Sequence, residues 1–408
     1  VKVSADTKLI EAARQAGIRL TTSCGGVGSC GQCRVIIMGG NVSRPTGNEK
    51  HVLGDTNLQD GHRLACSTQI QSDIKVYVPK TSMLTEQRLQ IDGEERLSSV
   101  DPAVCSYDIN MAAPELHDLR ADLERVTDHL QDTLGFSNIV AETAVIRQLS
   151  NTALEHDWKV SVCLRNSEIV GLAPQAESPL GMAVDLGTTK IAAYLLDLKT
   201  GEELTNAGAL NPQIGFGEDV VSRLTHALRN PGGATELTTI VRQALDDLLG
   251  QMISEIGGTR EQVMDACIVG NTAMTHLLLN LPVRQLAASP YVAATAGALD
   301  VKARKIGLTI APGAYVHVLP GIGGFVGADH VAMILASDLD CSEETVLGVD
   351  IGTNTEIAIT RPDLPYVTAA SCASGPAFEG AHISDGMRAA TGAIEAVRLT
   401  EDGVELKT

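Results

Sequence analysis

Four cysteines, Cys24, Cys30, Cys33 and Cys66, constrain the N-terminal part of this chain more than any other feature. Gaps of five, two and 32 residues separate them, and Gly25, Gly26, Gly28 and Gly31 are interleaved with the first three. Thiolates that hold an iron–sulfur core need a loop that wraps closely around inorganic sulfide. The loop must also turn backbone N–H groups inward. Glycine permits both, because it tolerates positive φ and carries no side chain. Arg63-Leu64-Ala65-Cys66 brings the fourth thiolate from a distant loop. Zinc competes as a reading, since C-x-x-C is half of a zinc site. Against zinc, Cys66 has no nearby Cys or His except His62. Four cysteines used only for packing would make a poor core among so many glycines.

This segment resembles the plant- and vertebrate-type [2Fe–2S] ferredoxins of β-grasp fold. Its five-residue gap matches the adrenodoxin-like branch rather than the four-residue plant spacing. A preceding helix from Thr7 to Gly17, with Leu9, Ile10, Ala13 and Ala16 on one face, fits the same pattern. The resemblance implies a [2Fe–2S] cluster on Cys24, Cys30, Cys33 and Cys66. It also implies an opening hairpin, of which only the second strand, Val1-Lys2-Val3, is expected here. The chain therefore reads as cut at its N-terminus.

At 408 residues the chain is long enough for two to four domains. Residues 1–80 hold 10 Lys/Arg against 6 Asp/Glu, whereas the rest holds 21 against 44. That break marks a boundary near residue 80. The net charge of −19 argues against nucleic-acid binding. No run approaches the roughly 20 apolar residues that cross a bilayer, and the first residues lack a signal-peptide pattern. Nine cysteines scattered over a long chain make a poor disulfide framework. A cytoplasmic protein without membrane segments is expected.

Residues 81–180 read as a linker over 81–110 and then a small structural domain. Within it, helices are expected over Pro114–Leu134, with Leu116 and Leu119 on the apolar stripe, and over Asn138–Glu155. A strand from Trp158 to Leu164 turns at Arg165-Asn166-Ser167 into Ile169-Val170-Gly171.

Residues 181–408 contain one pattern twice, 165 positions apart: Asp185-Leu186-Gly187-Thr188-Thr189 and Asp350-Ile351-Gly352-Thr353-Asn354, each between apolar strands. Such a turn suits an anion: glycine lets the backbone approach phosphate, Thr or Asn adds a donor, and Asp can hold a hydrated Mg²⁺. One copy would be weak, since hairpin turns favour the same residues. Two copies resemble the paired phosphate loops of the acetate kinase, sugar kinase, Hsp70 and actin superfamily. That resemblance implies two ribonuclease-H-like lobes that close on ATP with Mg²⁺. A Walker-type loop is absent. Alternating α/β structure is expected between the loops, with strands Asp265–Val269 and Tyr315–Leu319 and a helix Val326–Ala336. The Gly-rich stretch Ser374–Gly380 enters a further helix, and the adenosine-binding segment of the superfamily is not reached, so the C-terminus also reads as cut. The fold class is therefore α+β and α/β multidomain, with units at 1–80, 81–180 and 181–408.

A ferredoxin joined to such an ATPase resembles the ATP-dependent reductive activators of corrinoid proteins. Asn211-Pro212-Gln213, Gly217-Glu218-Asp219-Val220-Val221-Ser222-Arg223, Val269-Gly270-Asn271-Thr272 and Ser374–Gly380 match that family. The implied activity returns an oxidised corrinoid partner from Co(II) to Co(I) with one electron and ATP. The implied partners are a corrinoid protein of a methyltransferase system and an upstream low-potential electron donor, with a homodimer as the assembly. Two other classes compete. A small-molecule kinase would need a base, for which Asp219 and Asp329 are the candidates. A plain electron-transfer module would leave two intact phosphate loops unexplained. Activators of 2-hydroxyacyl-CoA dehydratases share the ATPase fold but hold a [4Fe–4S] cluster between subunits. Cys105, Cys163, Cys267, Cys341 and Cys372, among apolar neighbours, read as buried thiols.

Overall fold

The computed structural model describes residues 1–18, 20–22, 24–79, 82–83, 100–352, 354–374, 393–394, 396–400 and 403–407. Thr353 and residues 375–380 lie outside the described residues. No described helix is long and apolar enough to cross a membrane.

The first unit opens with helix α1 (Leu9–Gln15), whose buried face is Leu9, Ile10 and Ala12. Ala13 is partly buried and packs against the same core, whereas Ala16 is exposed. The helix is seated by its first N–H groups, Leu9 onto the Thr68 carbonyl and Ile10 onto that of Ala65, which sets its rotation. Strands β1 (Arg34–Gly39), β2 (His62–Leu64) and β3 (Lys75–Tyr77) form an antiparallel sheet in the order β2-β1-β3. Val1–Val3 is in no strand, contrary to the expected hairpin, and the described sheet offers it no partner. Helix α2 (Gly47–Gln59) starts from a capping box of Thr46 and Glu49. The Glu49 carboxylate, fully buried, takes two bonds from Arg63 at 2.9 and 3.1 Å and one from the Leu64 N–H at 3.1 Å. Breaking a buried pair of this kind costs about 3–5 kcal/mol. The pair thus locks the residues that lead into Cys66.

The second unit is a four-stranded sheet of β4 (Val104–Asn110), β5 (Val140–Ala141), β6 (Lys159–Arg165) and β7 (Glu168–Pro174), ordered β4-β6-β7-β5. Helices α3 (Asp122–Leu134) and α4 (Thr143–Glu155) close a core of Ile109, Val126, Leu130, Val145, Leu149, Val160 and Val162. Three expectations change here. Residues 104–110 are a strand rather than linker. The first helix begins at Asp122, leaving Leu116 and Leu119 98% and 83% exposed. Asp118 makes the difference: it bridges to Glu115 and its carboxylate binds Arg120 and Arg125, fixing a turn where the helix would have run. Helix α4 is likewise shortened, because Val140–Ala141 pairs with β7.

The third unit holds a six-stranded sheet, ordered β10-β9-β8-β11-β13-β12. Its strands are β8 (Leu180–Leu186), β9 (Lys190–Asp197), β10 (Glu203–Leu210), β11 (Val263–Val269), β12 (Leu299–Lys302) and β13 (Tyr315–Val318). The central strands β8, β11 and β13 run parallel, and the outer pairs are antiparallel. Helices α5 (Val220–Arg229), α6 (Gly233–Ile256), α7 (Thr272–Leu279) and α8 (Ala328–Ala336) flank it. Leu237, Val241, Leu245, Leu249 and Met252 of α6 are buried in the largest core. A second sheet of β14 (Val346–Ile351), β15 (Asn354–Thr360) and β16 (Thr368–Ala373) is antiparallel, and β17 (Ala396–Thr400) pairs with β18 (Gly403–Lys407).

Candidate functional site

The chain brings the four N-terminal cysteines together as two pairs, Cys24 with Cys30 and Cys33 with Cys66. In each, one thiol donates to the other. The Cys24 thiol is pulled down to about 4 by the bond from Cys30, helped by the N–H groups of Cys30, Ser29 and Gly28. Cys30 is pushed up as the donor. Cys66 is lowered by Cys33, and Cys33 raised by Cys66. Among the described residues no three His, Cys, Asp or Glu side chains converge as one ion would require. Paired thiolates with inward N–H groups fit two irons holding two cysteine sulfurs each. Gly25 has φ +61°, and a Cβ there would lie 2.7 Å from the Phe216 carbonyl oxygen. Only glycine fits, because the cysteine loop packs directly against the third unit.

The first Asp-x-Gly-Thr segment is the hairpin between β8 and β9, and the second joins β14 to β15. Three successive carbonyls of the first turn are held from one side. Asn211 Nδ2 donates to Gly187 at 2.8 Å, Arg223 Nη2 to Thr188, and the Asn211 N–H to Thr189 at 2.9 Å. Asn271 Nδ2 donates to the Thr188 hydroxyl at 2.7 Å. With its carbonyls anchored, the turn is preorganised for an anion on its other face. Arg223, fully buried, also donates to the Gly217 carbonyl at 2.8 Å.

Folding places Asp185, Asp329, Asp350 and Glu356 within electrostatic reach of one another. Desolvation, then Asp350, pushes Asp185 up to about 6. Asp329 is pushed up to about 7, chiefly by desolvation and then by Glu356, Asp185 and Asp350. Glu356 is raised for the same reasons. Asp185 at the end of β8 and Asp350 at the end of β14 stand at matching places in the two hairpins, where a carboxylate can hold a hydrated Mg²⁺. His330 is buried beside them, and neither ring nitrogen has a partner among the described residues. Asp219 sits elsewhere in role: both its oxygens cap α5 at Ser222, each at 2.8 Å. Gly352 and Asn354 lie in the second turn, and Thr353 is outside the described residues.

Arg223, Glu356 and His330 were not singled out individually from sequence. A buried arginine reads as a surface charge until its carbonyl partners are known. Cys163 is buried, and Cys105 and Cys267 are partly so. Cys341 and Cys372 are exposed, against expectation: one ends the short 3₁₀ turn Leu339–Cys341 after α8, and the other is on the edge strand β16.

Family models match most of the chain. Residues 1–71 match the 2Fe-2S iron-sulfur cluster binding domain, and 93–178 match the RACo linker region. Residues 180–342 match the RACo middle region, and 344–408 the C-terminal domain of RACo, the ASKHA domain. The corrinoid activation enzyme RamQ of Eubacterium limosum is 29% identical over 401 residues, which are 97% of this chain and 63% of that protein. A [Co(II) methylated amine-specific corrinoid protein] reductase of Methanosarcina barkeri is 30% identical over 223 residues, covering 52% of this chain and 40% of the relative. The chain thus spans under two thirds of the length of these curated relatives. The solved reductive activator for corrinoid, iron-sulfur protein superposes with a TM-score of 0.66 at 32% identity, over 100% of this chain and 67% of that one. The matched domains assign a [2Fe–2S] cluster and ATP with Mg²⁺ as cofactors. With three RACo regions in order behind a [2Fe–2S] domain, the chain belongs to the RACo family of reductive activators.

Proposed function

We propose that this protein reactivates a corrinoid protein of a methyltransferase system, passing one electron to Co(II) to restore Co(I) at the expense of ATP. The observation that carries the reading is the presence, in one chain, of paired cysteine thiols and two Asp-x-Gly-Thr hairpins whose aspartates lie within electrostatic reach of each other. A [2Fe–2S] centre on Cys24, Cys30, Cys33 and Cys66 supplies a one-electron couple near about −400 mV. Reduction to Co(I) is expected to lie lower, so the step needs a drive that nucleotide turnover can provide. Gly187, Thr188, Thr189, Gly352, Thr353 and Asn354 would hold phosphate oxygens, with Asp185 and Asp350 on Mg²⁺. Asp329, near neutrality in its protonation, is the candidate to take the proton of an attacking water, whereas Asp219 is committed to its helix cap. An upstream low-potential donor would recharge the cluster. The cytoplasm as location and a homodimer as assembly belong to the same proposal.

The test combines the protein with ATP, Mg²⁺, a low-potential reductant and a Co(II) corrinoid protein, following cobalt by absorption. Conversion to Co(I) should need ATP, and Cys66→Ser should abolish both the cluster spectrum and the conversion. Cobalt reduction indifferent to ATP would leave a plain ferredoxin. ATP-dependent phosphorylation of a small molecule regardless of cluster state would leave a kinase.

A further inference from the structure

The segment from Asn211 to Arg223 touches both cofactor sites at once. On one side it holds the first phosphate turn by the carbonyls of Gly187, Thr188 and Thr189. On the other it is the platform on which the ferredoxin unit lands. Arg14, at the end of α1, donates through Nη2 to the Gly215 carbonyl, and its guanidinium lies 3.8 Å from the centre of the Phe216 ring. Thr22, two residues before Cys24, donates to the same carbonyl at 3.0 Å. The segment is internally stiffened as well: the Gln213 N–H donates to Asn211 Oδ1 at 3.0 Å, and Arg223 Nη1 reaches Gln213 Oε1 at 3.3 Å.

The centre of the platform is the single 3₁₀ turn Pro212–Phe216. Such turns have poor hydrogen-bond geometry and little stability of their own. Contacts from outside therefore decide how firmly it is set. Resting on the two-site reading above, we infer that Arg14, a ferredoxin residue, is a positioning residue for the nucleotide site. By clamping Gly215 and Phe216 it stiffens the segment that holds the three turn carbonyls, so less ordering remains to be done when phosphate binds. Coupling of this kind is reciprocal, so bound nucleotide must also favour the docked ferredoxin unit.

The experiment measures the Kd of a fluorescent ADP analogue with Mg²⁺, using the full chain with its cluster in place. Arg14→Ala should weaken binding about five-fold or more, while the cluster absorption and the thermal midpoint without nucleotide stay as in the parent. Arg229→Ala, which removes a cation lining the same cleft beside the cysteine loop, should leave Kd unchanged. Phe216→Leu should weaken binding in the same direction, and the double variant with Arg14→Ala should be no weaker than Arg14→Ala alone. An unchanged Kd in Arg14→Ala would overturn the inference. So would equal weakening by Arg229→Ala, which would mean a general charge effect, or strict additivity with Phe216→Leu. Cobalt plays no part in this readout, so a failure here is distinct from a failure of the activator reading.

Discussion

The two Asp-x-Gly-Thr hairpins share a sequence pattern and differ in what surrounds them. The first lies in the middle of a six-stranded sheet, with Leu186 and Ile191 fully buried on its flanks and three turn carbonyls anchored by Asn211 and Arg223. The second belongs to a three-stranded sheet whose strand β14 exposes Leu347, Val349 and Ile351 at 60%, 45% and 65%. Its described anchoring is lighter: Ser371 bonds Glu356 at 2.9 Å, and Ser374 bonds Thr355 at 2.6 Å. Among the described residues, the same pattern is thus anchored by more buried partners in the first hairpin than in the second. What decides is the number of buried partners for the turn's backbone, not the turn's own residues.

The largest expected effect tests whether both hairpins serve the same chemistry despite that difference. Asp185→Ala and Asp350→Ala should each reduce ATP hydrolysis by about 10²-fold or more, as losing a transition-state charge partner does, with the cluster spectrum intact. If one variant hydrolyses ATP normally, the two turns are not functional equals.

A smaller effect should expose the difference in rigidity. A Cβ on Gly187 would stand 2.6 Å from the Lys190 carbonyl oxygen, whereas one on Gly352 would stand 3.4 Å from that of Asn354, an ordinary contact. Gly187→Ala should therefore cost about 1–3 kcal/mol in urea unfolding, and Gly352→Ala about 0.5 kcal/mol or less. Equal costs would mean that the first turn is no more constrained than the second.

The smallest concerns charge stored in the sheet of the first hairpin. Asp265 on β11 has a buried Oδ1 with no partner among the described residues, and burial pushes its carboxyl up to about 6. An acid with a raised folded pKa holds its proton better folded than unfolded. Its penalty is absent below the ordinary value of 3.8 and complete above about 6. In magnesium-free buffer Asp265→Asn should stabilise the protein at pH 7, by about 1 kcal/mol once screening is allowed for. That gain should disappear below about pH 4. A gain independent of pH would show that ionisation is not its source.

Local spacing was enough to single out four candidate cluster ligands, because three of the four cysteines sit within ten residues and glycine marks where the loop must wrap. The strand–turn–strand character of both Asp-x-Gly-Thr segments was legible for a similar reason, as was the strand Val263–Val269 with its following helix. Helix starts in the second unit were not. Leu116 and Leu119 have the right period, and Asp118 overrides it through two arginines that no periodicity reveals. The exposure of Cys341, in a 3₁₀ turn, and of Cys372, on an edge strand, was not legible, because it depends on which elements pack alongside. Thus the sequence alone named the candidate residues for the chemistry and determined that a [2Fe–2S] domain and an ASKHA domain share one chain. Only the tertiary structure decided that Arg223 spends its charge on backbone carbonyls, that Asp185 and Asp350 come within electrostatic reach of each other, and that the cysteine loop rests on Phe216. Each of these is a contact between residues far apart in the chain, and it depends on desolvation and close packing, which the sequence order does not record.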